Sequence, residues 1–313
     1  MNVPFKQLIM VGKIRSLIAL LRIRQYYKNG MIFIGIFFSE RLFVYSLYLK
    51  LIIGFILLCC ASSFNYIVND IRDIERDKLH SEKLKNRPLA SGALSVHFAI
   101  LMLFILVAII TLSLIFLIPN LGLTIMVILL IVTGQLYNHL FKNYAFIDIL
   151  ILSTGYLWRT LAGCIVIKEY VSAWLLLAIF EVAIFLSIAK RKGDLKFLGD
   201  DVALEHKKVY DQYSLNLLEQ FNTIVAGSLF MTYSLYLILK FNLFEPGIPT
   251  YEYIAVATIP LSLYILMRYM YLTSAKPEIA RNPEKAFFDK GIVIAALALF
   301  VILFLAFYSD IVI

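Results

Sequence analysis

Residues 46–77 read SLYLKLIIGFILLCCASSFNYIVNDIRDIERD. After Lys50 the run is uncharged and mostly apolar through residue 68, and the whole of 46–68 is long enough to cross a bilayer, which takes roughly 20 residues. It is followed at once by Asn69-Asp70-Ile71-Arg72-Asp73-Ile74-Glu75-Arg76-Asp77. On a continuing helix Asn69, Asp73 and Asp77 are four apart and Asp70 lies three before Asp73, so all four share one face. Like charges at that spacing destabilise a helix, so something positive must offset them. Oxygen ligands of this kind suit Mg²⁺, which keeps several waters and binds through one or two carboxylates plus phosphates. The plainer alternative is a solvated helix end whose acids pair with Arg72 and Arg76.

The rest of the chain agrees with a membrane setting. It is 61% hydrophobic and 16% charged over 313 residues, against about half and a quarter in soluble domains. Nine runs qualify as candidate spans: 29–39, 46–68, 96–117, 121–140, 146–167, 172–189, 215–239, 251–273 and 290–309. The first is short and is interrupted by Ser39, Glu40 and Arg41. The runs show no alternation, which argues for helices and against a transmembrane barrel. The expected fold is all-α, a polytopic transmembrane bundle of about nine spans. One catalytic domain, 29–313, follows a basic segment, 1–28, read as an amphipathic helix on the membrane surface and not as a cleavable signal.

The net charge is +8. Twenty-four Lys and Arg fall on one side of the nine-span topology and four on the other, with Arg159 inside a span. The positive-inside rule then places the N-terminus and both acidic loops in the cytoplasm and the C-terminus outside, in the cell membrane. These cations also suit an anionic substrate; no basic nucleic-acid motif is present. Cys59, Cys60 and Cys164 lie inside apolar runs without metal or disulfide spacing. The acidic loops, 69–95 with Glu82 and 190–214 with Asp194, Asp200, Asp201, Glu205 and Asp211, follow spans 2 and 6, a hint of an internal repeat.

Next to the first acidic run stand His80, Lys83, Lys85 and Arg87, then Pro88 to Gly92, which mark a turn. Cations beside a metal site suit phosphate oxygens, Arg bidentately; ordinary positive-inside charge is the alternative. Arg159 is read as the one charge clearly within a span. Such a residue faces a cavity or a partner, and Asp148, eleven residues away on the same helix, is a distant candidate partner. Phe64, Tyr66, Tyr156 and Trp158 are read as packing or lipid-facing residues, with an isoprenoid groove as the alternative. His97 and His139 are read as structural.

Asn-Asp-x-x-Asp-x-x-x-Asp followed by Asn86-Arg87-Pro88-Leu89-Ala90-Ser91-Gly92 resembles the first signature of the UbiA prenyltransferase superfamily. Its members are nine-span intramembrane enzymes that hold a Mg²⁺-diphosphate between two Asp-rich cytoplasmic loops. The second element here, Lys190-Arg191-Lys192-Gly193-Asp194-Leu195, is similar to the Lys-Arg-x-x-Glu-Leu of the decaprenyl-phosphate phosphoribosyltransferase branch. Arg24 to Asn29 resembles that branch's Gln-Trp-x-Lys-Asn; Tyr137, Phe141-Lys142 and Asp148 resemble its Tyr-Ser-x-x-Leu-Lys and following Asp; Arg159 and Gly163 resemble its Leu-Arg-x-x-Ala-Gly. Departures are Asp194 for Glu, Asn138 for Ser, and Lys207 for the Arg usual after His206.

The resemblance implies Mg²⁺ on Asp70, Asp73 and Asp77, with Asp194 as a further catalytic carboxylate. Substrate contacts fall to Lys28, Asn69, Lys85, Arg87, Tyr137, Lys142, Arg159, Lys190 and Arg191. The implied reaction moves 5-phosphoribosyl from phosphoribosyl diphosphate to a polyprenyl phosphate and releases pyrophosphate. The other enzymatic reading moves an isoprenoid from a prenyl diphosphate to an aromatic or small polar-lipid acceptor. The basic set Lys28, Lys142, Arg159, Lys190 and Arg191 favours the first, because phosphoribosyl diphosphate carries an extra phosphate. A transporter calls for midplane polar sites on broken spans, whereas the acids here crowd one membrane face. A homo-oligomer is left open.

Overall fold

Long apolar runs without alternation satisfy their backbone groups internally only as helices, and among the described residues every regular element is helical. The computed structural model describes residues 5–78, 84, 86–198, 208–243 and 250–312. Lys85, singled out above, lies outside them, as do His80, Glu82, Lys83, Asp200, Asp201, Glu205, His206 and Lys207.

Helix α1, Phe5–Leu21, forms within the basic N-terminal segment. Its apolar residues occupy more than one side: Ile14 and Ile18 are exposed and Leu20 is buried. Arg22 then adopts a left-handed backbone, φ 52°, and the chain continues as a 3₁₀ stretch, Ile23–Phe33, and a short helix, Ile34–Phe38. The longer helices follow as α2 Tyr48–Arg72, α3 Val96–Leu112, α4 Leu121–His139, α5 Ile147–Ile167, α6 Ala173–Leu198, α7 Leu215–Lys240, α8 Thr258–Ala275 and α9 Lys290–Val312. The segments of α2 to α9 give eight helices long and apolar enough to cross a membrane, and the protein is integral to a membrane. The remaining candidate span, 29–39, falls on the irregular 3₁₀ stretch and its short helix, so the count comes close to nine without a ninth long apolar helix among the described residues.

Capping follows the sequence. Ser95 accepts from the Phe98 N–H at 3.2 Å to start α3, Asn120 from the Leu123 N–H at 3.0 Å to start α4, and Ser214 from the Leu217 N–H at 3.2 Å to start α7. The Pro88–Gly92 turn is present. The Ser91 N–H donates to the Arg87 carbonyl at 3.0 Å and the Leu94 N–H to the Pro88 carbonyl at 3.1 Å, and Gly92 takes φ 74°, open to glycine without strain.

The chain divides into two compact units. The first comprises residues 1–37, 42–138 and 158–169. Its core joins Ile32 of the 3₁₀ stretch to Leu57, Leu58 and Ala61 of α2, Leu123 and Val127 of α4, and Ala162 and Val166 of α5. Leu20, Ile67, Leu89 and Ala99 form a second cluster. The second unit comprises 38–41, 139–157 and 170–313. Within it α6 lies along α7 in antiparallel fashion, since Lys192 meets Glu219 and Glu181 meets Ser228. Phe185, Ala189, Ala226, Tyr269 and Leu272 fill the core there.

Candidate active site

In the first unit the site is built on one face of α2. Cys59, Ser62, Ser63, Tyr66 and Asp70 recur at spacings of three and four, which brings small polar groups onto a single stripe. The irregular stretch Ile23–Phe33 supplies their partners. Tyr26 shares a 2.8 Å hydrogen bond with Ser63, whose hydroxyl also donates to the Leu21 carbonyl. Asn29, fully buried, donates to the Cys59 sulfur at 3.2 Å and accepts from Ser62 at 3.1 Å.

The acidic run at the end of α2 keeps the face expected of it. Helical hydrogen bonds persist from Asp73 to Asn69 and from Asp77 to Asp73, although Asp73 leaves the regular helix, which resumes as Ile74–Lys78. Asp70 and Asp77 are buried, while Arg72, Glu75 and Arg76 are exposed. Asp73 pairs with Arg76 at 2.9 Å, so one arm of the solvated-pair alternative is real. Asp70 is the centre of the group. Its Oδ1 accepts from Arg22 at 2.5 Å and also from Arg87, and the Asn69 side chain hydrogen-bonds its carboxylate. The Arg22 guanidinium additionally lies 4.4 Å from the centre of the Tyr66 ring.

The other oxygen, Asp70 Oδ2, is buried and has no hydrogen-bond partner. A buried carboxylate oxygen left unmatched is costly, and a hard cation would match it. Among the described residues no three His, Cys, Asp or Glu form a ready cage. Mg²⁺ does not need one, because it uses one or two carboxylates and fills its remaining positions with water and phosphate. The acidic face with its orphaned oxygen therefore fits a magnesium ion that arrives with a diphosphate.

Arg159 sits on α5 and is buried. Its Nε donates to Asn29 Oδ1 at 2.7 Å and its terminal nitrogen to Ser62 at 3.3 Å. Asp148 is paired elsewhere: its Oδ2 accepts from Arg191 Nε at 2.8 Å and its Oδ1 from the Tyr213 hydroxyl at 2.7 Å. Ser62 and Asp70 are eight residues apart on α2, about 12 Å along its axis. Of the other expected residues in this unit, Lys28 is half-buried near the Tyr27 ring, and Tyr137 is half-buried near the end of α4.

The second unit carries its own network. Arg191 is fully enclosed against Asp148. Asp194 accepts from the Tyr210 hydroxyl at 2.5 Å and from Arg281 Nε at 3.0 Å, and Arg191 also hydrogen-bonds Tyr210. Burial pushes the Tyr210 phenol well above its ordinary pKa, so it stays a donor to Asp194. Tyr213 is likewise raised by burial, and its oxygen accepts from the Phe146 N–H while its proton goes to Asp148. Lys190 is exposed, and Lys142 lies on the 3₁₀ turn Phe141–Asn143. The Lys-Arg-Lys run thus splits by helix face into an exposed Lys190, an enclosed Arg191, and a buried Lys192 paired with Glu219.

Sequence reasoning missed four residues. Arg22 and Arg281 hold the two key carboxylates from distant positions, and Tyr210 completes the Asp194 cradle. The fourth corrects the reading of Arg159 as the one charge clearly within a span. Glu181 also lies inside one, buried, with one oxygen on Ser228 and the other without a partner. Its position in the run 172–189 was visible in the sequence.

Residues 30–289 match the model of the UbiA prenyltransferase family. The chain is 28% identical over 250 residues to a decaprenyl-phosphate phosphoribosyltransferase of Mycobacterium tuberculosis, covering 80% of this chain and 78% of that one. To the Mycolicibacterium smegmatis protein of the same name it is 28% identical over 240 residues, covering 75% and 73%. A solved UbiA homolog from Archaeoglobus fulgidus, bound to DMAPP and Mg²⁺, shares the fold with a TM-score of 0.64 at 15% identity, over 93% of this chain and 99% of that one. With a family model spanning most of its length, the chain belongs to the UbiA prenyltransferase family.

Proposed function

We propose that this UbiA-family transferase moves 5-phosphoribosyl from phosphoribosyl diphosphate to a polyprenyl phosphate, with release of pyrophosphate. The observation that carries the choice of donor is the buried Arg159. It is a cation fixed by Asn29 and Ser62 inside the first unit, on the same stripe of α2 as Asp70 but about two turns away. A diphosphate at Asp70 accounts for one anion, and a prenyl diphosphate brings no other. Phosphoribosyl diphosphate brings a second, its 5-phosphate. The names of the relatives from Mycobacterium and Mycolicibacterium support the same reading.

Asp70, Asp73 and Asp77 would hold Mg²⁺, which when bound neutralises the leaving diphosphate. Arg87 and Arg22 are placed to turn from Asp70 to diphosphate oxygens, since Arg binds such groups through paired N–H donors. Arg159 orients the donor through its 5-phosphate, and Lys28 and Tyr137 are assigned to substrate in the same unit. In the second unit Lys142 and Lys190 are assigned to substrate and Asp194 to catalysis, while Arg191, enclosed by Asp148, acts by positioning its neighbours. Lys85 keeps its assignment from the resemblance.

The bond from the ribose anomeric carbon to the diphosphate breaks, and a bond from that carbon to the lipid phosphate oxygen forms. The lipid phosphate is already anionic near neutral pH, with a second pKa of about 6, so no general base is required. Burial of the isoprenoid tail in the membrane limits the acceptor's approach and contributes orientation. The N-terminus and the acidic run of α2 face the cytoplasm on this reading, following the charge bias. Labelling from outside of a cysteine engineered at exposed Ser91 in intact cells would contradict that orientation.

The test is direct. Purified protein with Mg²⁺, labelled phosphoribosyl diphosphate and a polyprenyl phosphate is expected to form a labelled lipid and pyrophosphate. Inertness there, with isoprenoid transfer from a prenyl diphosphate to an aromatic acceptor, would leave the family and overturn the donor.

A further inference from the structure

Asp194 stands near the end of α6 as Asp70 stands near the end of α2, an acid where a long apolar helix runs out. Both of its oxygens are engaged. Oδ2 accepts from the Tyr210 hydroxyl at 2.5 Å and Oδ1 from Arg281 Nε at 3.0 Å. The three residues come from α6, from the 3₁₀ turn Lys208–Gln212 and from the short helix Pro277–Arg281. One carboxylate thus ties three segments of the second unit together. The group is not sealed, since the Asp194 side chain is 15% exposed and that of Arg281 19%.

The charge around Asp194 is opposite to that around Asp70. Asp70 has Asp73 and Asp77 on its own face and an orphaned buried oxygen. Asp194 has no other carboxylate within four residues on either side, and the residues four and three before it are Lys190 and Arg191, which a helix brings to the same side. Arg191 also hydrogen-bonds Tyr210. The other acids of this region have partners of their own: Asp148 holds Arg191 and Tyr213, and Glu278 pairs with Lys285. A divalent ion at Asp194 would have to displace a guanidinium from one oxygen or a phenol from the other. Burial raises the Tyr210 pKa, so that phenol keeps the proton it gives to Asp194. The ion would then stand among cations with one carboxylate to hold it, and repulsion between like charges is strong where water is partly excluded.

We propose that Asp194 binds no metal ion, and that with Tyr210 and Arg281 it forms a metal-free clamp that stays closed in the loaded as in the empty protein. Its assignment to catalysis is then met without a metal, and metal binding stays with the acidic face of α2. The proposal takes from the reading above only that a diphosphate binds together with a metal, and it is indifferent to what the diphosphate is attached to.

Mn²⁺ is the probe, counted per chain on purified protein in detergent with saturating Mn²⁺ and pyrophosphate. Melting temperatures are read in EDTA, and again in Mn²⁺ with pyrophosphate, for the native chain, Asp194→Asn, Arg281→Gln and the double variant. Asp194→Asn is expected to bind as many ions as the native chain. Each single variant lowers the melting temperature, because each leaves the partner's charge unmatched. The double variant is more stable than the sum of the two losses, and by the same margin in both conditions. An ion lost in Asp194→Asn overturns the proposal. A margin that vanishes on loading also overturns it, since the carboxylate would then have exchanged Arg281 for a metal. Strict additivity in EDTA does so too, because Arg281 would not be the partner. If Asp194→Asn does not fold, the double variant, which strands neither charge, is counted in its place and judged in the same way. Asp70→Asn separates this proposal from the reading it builds on. It is expected to lose an ion, and a native count there would remove the metal from α2 while the result for Asp194 stands.

Discussion

Replacing Asp148 by Asn tests whether Arg191 is a ligand-binding cation or an enclosed one. The Asp148 side chain has no exposed surface and that of Arg191 has 3%, with 2.8 Å between their charged atoms. Removing one member of such a pair strands the other charge in a low-dielectric setting, which costs about 3–5 kcal/mol. The Tyr213 hydroxyl, which donates to the same carboxylate at 2.7 Å, keeps an acceptor in the amide but loses a charged one. At about 2–4 °C per kcal/mol for a chain somewhat smaller than this one, Asp148→Asn should lower the melting temperature by roughly 6–20 °C. Tyr213→Phe removes one hydrogen bond to a charged group, about 1.5–3 kcal/mol, and the acceptor of the Phe146 N–H, and should lower the melting temperature without stranding a charge. Adding Arg191→Gln to Asp148→Asn removes the stranded charge, so the double variant should be more stable than the sum of the two single losses. The assay is thermal unfolding in detergent at one fixed scan rate, followed by tryptophan fluorescence. A shift below about 2 °C for Asp148→Asn, or strict additivity in the double variant, would refute the pair as a structural lock. Arg191 would then return to the list of direct phosphate contacts.

Asp73→Asn should cut turnover at least about a hundredfold, since charge stabilisation by a bound metal is worth several kcal/mol, while membrane expression stays native. EDTA should do the same to the native enzyme, and full activity in EDTA would sink the metal assignment. Gly163→Ala sets a methyl group on the Ile32 carbonyl oxygen, backbone against backbone with no side chain able to yield. Overpacking of this kind costs about 1–3 kcal/mol, read as a lower melting temperature, and a native value would contradict the close approach. Tyr210 and Tyr213 have phenol pKa values raised in the folded state. Their contribution to stability is therefore complete below the ordinary tyrosine pKa of about 10 and is lost as pH rises above it. Melting temperatures between pH 9 and 11 should fall less steeply in Tyr210→Phe than in the native chain, and identical slopes would exclude the linkage.

What could be read in advance was local. Three-and-four spacing brought Asp70, Asp73 and Asp77 to one face, and that face is formed even though Asp73 steps out of the regular helix. Proline and glycine marked the Pro88–Gly92 turn, and helical rise alone made Asp148 a poor partner for Arg159. What could not be read was which distant residue answers each charge. Arg281 reaches Asp194 across 87 positions and Arg22 reaches Asp70 across 48, and no spacing rule selects those pairs from the other cations. The segment 29–39 is not among the eight long apolar helices, and the reason is related. Its hydropathy suits a span, but the Asn29 side chain is committed to Cys59, Ser62 and Arg159, and the backbone there is 3₁₀. Glu181 is different, because its place inside an apolar run is plain in the sequence.

The buried and half-buried arginines sort by what fixes them, and the sorting bears on the proposed chemistry. Arg191 is held by Asp148, which is fully buried and belongs to a tyrosine-linked network, so a substrate anion would have to break a dedicated pair to use it. Arg159 sends two of its hydrogen bonds to the neutral oxygens of Asn29 and Ser62, so an arriving phosphate need not displace a carboxylate from those contacts. Arg22 and Arg87 fall between, because they share the one Asp70 oxygen that has partners while the other has none. On the proposed reaction, Asp70 would be released from the two guanidinium groups to hold a metal ion, and those groups would be free to bind diphosphate oxygens. The exchange would leave Asp70 and both guanidinium groups with a partner of opposite sign before and after, and so would avoid stranding an ion in a buried site. A metal without its diphosphate would leave Arg22 and Arg87 stranded, and a diphosphate without its metal would leave Asp70 uncompensated. The two should therefore bind together, with Mg²⁺ alone and pyrophosphate alone each stabilising the protein far less than both added at once.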